Sequence, residues 1–137
     1  MDTPAYTKPL PVLTKLNAPF WDGTKRGALR LQRCTVCGRI WFPPSTHCPQ
    51  CLATAYEWIT ASGRGKVWSW IVMHQRYFKA FDADLPYVVA MIELEEGPML
   101  MSTLVDIPKT EIRCDLPVRV VFEDATADMA VPKFTSV

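Results

Sequence analysis

The sequence predicts a mainly β chain with a short N-terminal helix, a ribbon built around a metal and a small five-stranded barrel. Three observations predict it. Two Cys-x2-Cys pairs, Cys34/Cys37 and Cys48/Cys51, stand ten residues apart. After Gly63 the chain breaks into short runs rich in Val, Ile and Trp, separated by turn residues. Before the cysteines, a proline-spaced stretch gives way at Asn17 to a segment with its own start and stop residues. The 137 residues divide accordingly into an arm and helix over 1–27, a ribbon over 28–60 and a barrel over 61–137.

Residues 1–16 read as an extended arm, because Pro4, Pro9 and Pro11 prevent a continuous helix or ladder. A helix is expected from Asn17, which can cap it, with Pro19 in the first turn where a missing N–H costs little. Gly27 offers the stop and Gly23 weakens the interior. From Ala28 to Arg33, Leu29 and Leu31 alternate with Arg30 and Gln32 as in a strand with one buried face. Tyr56 to Ile59 resumes that alternation. Further strands are expected over Lys66–His74, Tyr87–Leu94, Met99–Val105, Val118–Phe122 and Pro132–Val137, with a looped or helical connection over Ile107–Leu116. Five short strands with one longer connection suit a closed barrel such as an OB-fold, though an SH3-like barrel or a small sandwich would give the same pattern.

Two Cys-x2-Cys knuckles can bring four thiolates into a tetrahedron, the arrangement that a structural Zn²⁺ requires. Gly38 eases the turn after the first knuckle and Pro49 stiffens the second. Iron takes the same four ligands, and a single pair would suit a redox dithiol. A disulfide pairing fits poorly, since the first twenty residues lack the apolar core of a secretory leader. A cytoplasmic location with no membrane span is the expectation. His47 beside Cys48 reads as a loop residue, because four cysteines already complete the set. A site closed by four protein ligands leaves no position for water or substrate and is therefore structural.

The near-neutral total of +1 hides an asymmetry. Residues 1–79 carry eleven Lys/Arg against three Asp/Glu, a balance of +8, and residues 80–137 carry four against eleven, a balance of −7. A polyanion would be repelled by the half that forms most of the barrel, which argues against nucleic acid as a partner. The chain also lacks the glycine-rich phosphate loops, zinc-protease strings and serine elbows of common enzymes. Cys114 has no adjacent base, and His74 is the one histidine outside the ribbon, so no catalytic pair is evident and no enzyme by itself is expected. Trp68 and Trp70 fall on one strand face with Lys66 by the period of two, where they could stack bases or simply pack. The loop Arg76-Tyr77-Phe78-Lys79-Ala80-Phe81 concentrates three aromatics and two cations. Exposed, it would mark a contact surface with Arg76, Tyr77, Phe78 and Phe81 as contact residues; folded onto the barrel, it would be ordinary core.

Several strings recur in one known family in this order: Pro19-Phe20-Trp21, Leu29 to Cys34, Gly38 with Phe42-Pro43-Pro44, and Cys48-Pro49-Gln50-Cys51. Glu57-Trp58, Ser62 to Gly65, Leu85 to Val89, Glu93 to Pro98 and Pro117 to Val120 follow. From about residue 18 onward the chain resembles the acyl-CoA-associated zinc-ribbon/OB-fold family, once filed as a domain of unknown function. The resemblance implies an N-terminal helix, a rubredoxin-like zinc ribbon with one Zn²⁺ and a C-terminal OB barrel. It also implies a non-catalytic small subunit working with a thiolase-family large subunit, or with an acyl-CoA hydratase, on carbon–carbon bonds of CoA thioesters. The nucleophile would then belong to the large subunit, while this chain shapes or covers the acyl-CoA site. One departure from the family pattern is Leu52, where many relatives have glycine after the last ligand.

Overall fold

A computed structural model describes residues 6–137. The expected arm is irregular from Tyr6 onward, and its first five residues lie outside the described residues. Helix α1 spans Ala18–Lys25 with a proline in its first turn, and the chain leaves it at Gly27 with φ +76°, the left-handed turn that glycine takes at little cost. Asn17 is the cap residue by position but not by hydrogen bond. Its side chain turns back instead, accepting from the Thr14 N–H at 2.8 Å and donating to the Val12 carbonyl at 2.9 Å. The cap residue therefore ties down the arm. Gly23 has a packing reason, since a Cβ there would lie 2.7 Å from Arg30 Cγ.

The ribbon is a three-stranded antiparallel sheet in the order β2-β1-β3, with β1 at Arg30–Cys34, β2 at Ile40–Trp41 and β3 at Tyr56–Thr60. Leu29 and Leu31 are buried as their alternation predicts. Gln32 is buried too, contrary to the outward position that the alternation assigned it. Its amide donates to the Ser45 carbonyl at 2.9 Å and accepts from the Ser45 N–H at 2.8 Å, so its polarity is satisfied by a backbone loop thirteen residues away.

The second sheet has five strands, β4 at Arg64–Met73, β5 at Tyr87–Leu94, β6 at Met99–Ser102, β7 at Pro117–Asp124 and β8 at Ala130–Ser136. They run antiparallel in the order β6-β5-β4-β7-β8. The sheet curls until its ends meet. After Ser102 the chain leaves β5, and Thr103 to Val105 pair with β8: Phe134 N–H donates to Thr103 O at 3.0 Å, and Val105 N–H to Phe134 O at 2.8 Å. Leu104 and Phe134 form a parallel bridge at this seam. The strand expected over Met99–Val105 thus serves two partners, which closes the sheet as an OB barrel requires. Val88, Ala90, Ile92 and Leu94 alternate inward along β5 and meet Val67, Leu100, Val118 and Phe134 in one core. That core also takes Phe20 from α1 and Leu29 and Leu31 from the ribbon side.

One expectation is corrected. The β4–β5 register shifts between Val67 and Ser69, a bulge that leaves Trp68 as the extra residue. Beyond a bulge the side-chain alternation reverses. Trp68 is 54% exposed while Trp70 packs against the core, so the two tryptophans do not share a face. The paired stacking platform that single-stranded nucleic acid would use is absent there.

Candidate metal centre and contact loop

Each knuckle is a tight turn that points its own backbone N–H groups at its first sulfur. In the first, the N–H groups of Val36 and Cys37 donate to Cys34 Sγ, each at 3.4 Å, and the Gly38 N–H closes the turn on the Cys34 carbonyl at 3.0 Å. In the second, the Gln50 N–H donates to Cys48 Sγ at 3.4 Å, and the Leu52 N–H closes on the Cys48 carbonyl at 2.9 Å. Gly38 and Leu52 occupy equivalent positions, and both are left-handed, at φ +80° and +64°. Leucine thus adopts in the second knuckle the conformation that glycine takes in the first, a strain on the order of 1 kcal/mol. The knuckle geometry is kept.

The four Sγ atoms lie within 4.8 Å of one another. Cys34 and Cys51 approach to 3.5 Å, as do Cys37 and Cys48. Sulfurs at the corners of a tetrahedron with 2.3 Å metal–sulfur arms stand about 3.8 Å apart, so this cluster needs little adjustment to take a metal ion. Cys34 and Cys48 are buried, whereas Cys37 and Cys51 reach the surface. The N–H of Cys37, with burial opposing and Val36 assisting, brings the Cys34 thiol down to about 6. For Cys48, burial opposes ionisation, but the N–H groups of Cys51 and Gln50 outweigh it and the thiol is lowered. The Ala53 N–H favours the Cys51 thiolate, yet burial and the neighbouring thiols push it up to about 12. Cys37 is likewise raised: burial and the Cys48 thiol overcome the Arg39 N–H. In each knuckle the first thiol is thus shifted toward ionisation and the second away from it, and a bound cation favours the thiolate of all four. These four of the chain's five cysteines are positioned to bind a metal ion, with every tetrahedral position taken by protein. His47 is exposed, hydrogen-bonds with the Thr46 hydroxyl at 2.7 Å and is not part of the cluster.

Cys114 and His74 are both exposed, and no hydrogen bond joins their side chains. The loop between β4 and β5 divides its aromatics. Tyr77 is 65% and Phe78 59% exposed. Phe81 is half-buried instead, 6.2 Å from the Phe78 ring and 5.7 Å from Tyr87, within a 3-10 turn over Lys79–Asp84. The arm lies over this turn. Lys8 Nζ sits 5.6 Å above the Phe81 ring and 2.7 Å from Asp84, whose hydrogen bond, ahead of an opposing burial effect, holds the Lys8 pKa up. Exposed Arg76 pairs with half-buried Asp82 at 2.9 Å. No signal short of the folded contacts could have linked residue 8 to residue 84.

A groove of about 830 Å³ separates the ribbon from the β5–β6 turn, lined by Ile40, Phe42, Pro44, Glu96, Pro98 and Met99 among others. Helix α1 bridges the same two parts. Phe20 meets Phe42 at 5.4 Å on the ribbon side. On the barrel side, the Thr24 hydroxyl accepts from the Ala130 N–H at 3.1 Å at the start of β8. No helix among the described residues is long and apolar enough to cross a membrane.

A four-thiol ribbon leading through one shared core into a closed five-stranded sheet defines the class, a rubredoxin-like ribbon with a C-terminal OB-fold. Two family models match consecutive parts of the chain: "ChsH2, rubredoxin-like zinc ribbon domain" over residues 21–57, and "ChsH2, C-terminal OB-fold domain" over residues 58–123. The chain belongs to this ChsH2-type, DUF35 family. It is 34% identical over 131 residues to a "Probable enoyl-CoA hydratase alpha subunit" of Thermomonospora curvata, covering 96% of this chain but 40% of that one. A "DUF35 domain-containing scaffold protein" of Methanocaldococcus jannaschii is 38% identical over 97 residues, 70% of this chain and 68% of the relative. The "Benzoylsuccinyl-CoA thiolase subunit BbsA" of Thauera aromatica is 30% identical over 87 residues, 64% of this chain and 58% of the relative. Among solved structures, a chain of the "Ltp2-ChsH2(DUF35) aldolase" superposes with a TM-score of 0.82 at 34% identity, covering 93% of this chain and 98% of that one.

Proposed function

We propose that this chain is the non-catalytic small subunit of a thiolase-type acyl-CoA complex, which makes or cleaves carbon–carbon bonds in CoA thioesters in the cytoplasm. The ribbon over 28–60 holds one structural Zn²⁺ on Cys34, Cys37, Cys48 and Cys51, and the barrel over 61–137 shapes or covers the acyl-CoA site. The observation that carries this reading is the match, along nearly the whole of both chains, to a chain of the "Ltp2-ChsH2(DUF35) aldolase". Two further features support it. The metal cluster has no open position for chemistry, and Cys114 and His74 do not form a nucleophile–base pair. Tyr77 and Phe78, propped by Phe81 and flanked by Arg76, offer an aromatic anchor with a cation that can meet a CoA phosphate or an acidic partner residue.

A second reading, a partnership with an acyl-CoA hydratase, draws on the 34% identity to the hydratase alpha subunit. Purification of the tagged chain from its native host, with mass spectrometry and acyl-CoA assays of what co-elutes, separates the two. A thiolase-family enzyme that loses turnover when this chain is stripped and regains it on addition is the expected result. A hydratase in its place moves the assignment to the second reading. Recovery of the chain alone, with no effect on either enzyme, ends both.

A further inference from the structure

We propose that the outer face of β4, β5 and β6 is the seat of the catalytic subunit, with the aromatic loop forming one border of that seat. The inference rests on the reading above that such a subunit exists, and deepens it by naming the surface. The register sets Ile71 beside Val89, and Met91 beside both Ser69 and Met101. The residues between them, Ala90, Ile92 and Leu100, fill the core, so this row turns outward. Ile71 is 54% and Met101 66% exposed. An ordinary half-buried antiparallel sheet puts polar side chains on such a face. Here the outward positions from Ser69 to Met73, from Tyr87 to Met91 and at Met101 carry no Asp, Glu, Lys or Arg.

Charge stands only at the two ends, and it is paired there. Lys66 meets Glu93 at 3.9 Å at one end, and Arg76 meets Asp82 at 2.9 Å at the other. An uncharged apolar centre inside a polar rim is the anatomy of a protein interface. It requires an equally uncharged counterpart, and it lacks the cations that a polyanion or an anionic lipid surface would need. Four of the chain's six methionines, Met73, Met91, Met99 and Met101, lie along these strands. Unbranched and polarizable, they adapt to a partner's contours. The bulge adds Trp68 to the exposed surface of β4. A different subunit is favoured over a second copy because the face runs into the loop of Tyr77 and Phe78, and because similar chains carry the names of subunits of enzyme complexes.

The test uses the full chain, tagged in its native host, with Ile71→Asp and Met101→Asp made separately and Arg119→Glu, on exposed β7, as a charge control. Each aspartate variant is expected to recover at least tenfold less of the acyl-CoA enzyme that accompanies the wild type, while Arg119→Glu recovers as much. Thermal unfolding and metal content check that the variants fold. Independently of folding, a photo-crosslinking residue at position 101 of the otherwise wild-type chain is expected to capture that enzyme, and one at position 119 is not. Undiminished recovery by both folded aspartate variants, or no crosslink from position 101, overturns the surface and leaves the partnership standing. If the wild type recovers no acyl-CoA enzyme, partnership and surface fall together. A wild-type homodimer that Ile71→Asp splits would assign the face to a second copy and overturn the proposal.

Discussion

The ribbon and the barrel are held by different physics. The barrel core unites Val67, Ile92, Val118, Phe134 and their neighbours, whereas the ribbon tip buries little besides Cys34, Cys48 and Trp41, with Ala53 and Tyr56 packed alongside. Two of those three are thiols aimed at a common centre. A segment that cannot bury enough apolar surface gains its order from a bound ion, while the curled sheet gains its order from exclusion of water. The two regions should therefore fail separately.

Removing the metal gives the largest separation. Structural metal sites of this kind contribute on the order of 10 kcal/mol to folding at neutral pH. Chelation, or Cys48→Ser, is expected to erase the dispersed amide signals of residues 34–55 in a heteronuclear NMR spectrum and to leave those of β4 to β8 in place. Retention of the metal should weaken as pH falls, because every ligand must be deprotonated. Uniform loss of signals across both regions would show that the difference is not one of separate cores.

Phe134→Ala should produce the converse. This side chain is fully buried at the seam where the sheet closes, and its truncation costs about 3–5 kcal/mol. Denaturant unfolding followed by tryptophan emission is expected to shift by that amount, with the metal still bound stoichiometrically in native buffer. Metal loss at a lower denaturant concentration in the variant, in step with the barrel's unfolding, would contradict the assignment of Phe134 to the barrel alone.

The smallest effect sharpens the comparison within the ribbon. Leu52→Gly relieves a left-handed leucine and makes the second knuckle match the first. A gain of about 1 kcal/mol is expected, read as slower metal release to a competing chelator with no change in the barrel's unfolding. Faster release would mean that the leucine side chain contributes a contact that outweighs its strain.

The two regions also differed in how far they could be read in advance. Cysteine spacing singled out the four thiols that the fold gathers, because the number of residues between sulfurs is itself the geometric requirement of such a cluster. Alternation located β5 to within a residue, since its buried face repeats without interruption. It failed at Trp68 and Gln32 for a common reason. A bulge is set by the opposing strand, and a buried amide is satisfied by a distant loop, so neither leaves a local pattern. The aromatic loop was legible as a cluster but not as a division into exposed Tyr77 and Phe78 and supporting Phe81. That division depends on Tyr87 behind the loop and on Lys8 above it.

Strand β1 has a consequence for how such chains can be recombined. The Arg33 side chain pairs with Glu57 on the ribbon's outer surface, while Leu29 and Leu31 just before it line the barrel's core, and the Ala61 N–H donates to the Leu29 carbonyl at 2.7 Å. The seam between the two modules thus runs along a strand rather than across a linker. A ribbon transplanted onto another protein would carry two leucines in search of a core, and a barrel expressed without it would lack part of its wall. Fusions that keep residues 18–61 with the barrel preserve both, which makes the helix, the ribbon base and the barrel a single unit of inheritance.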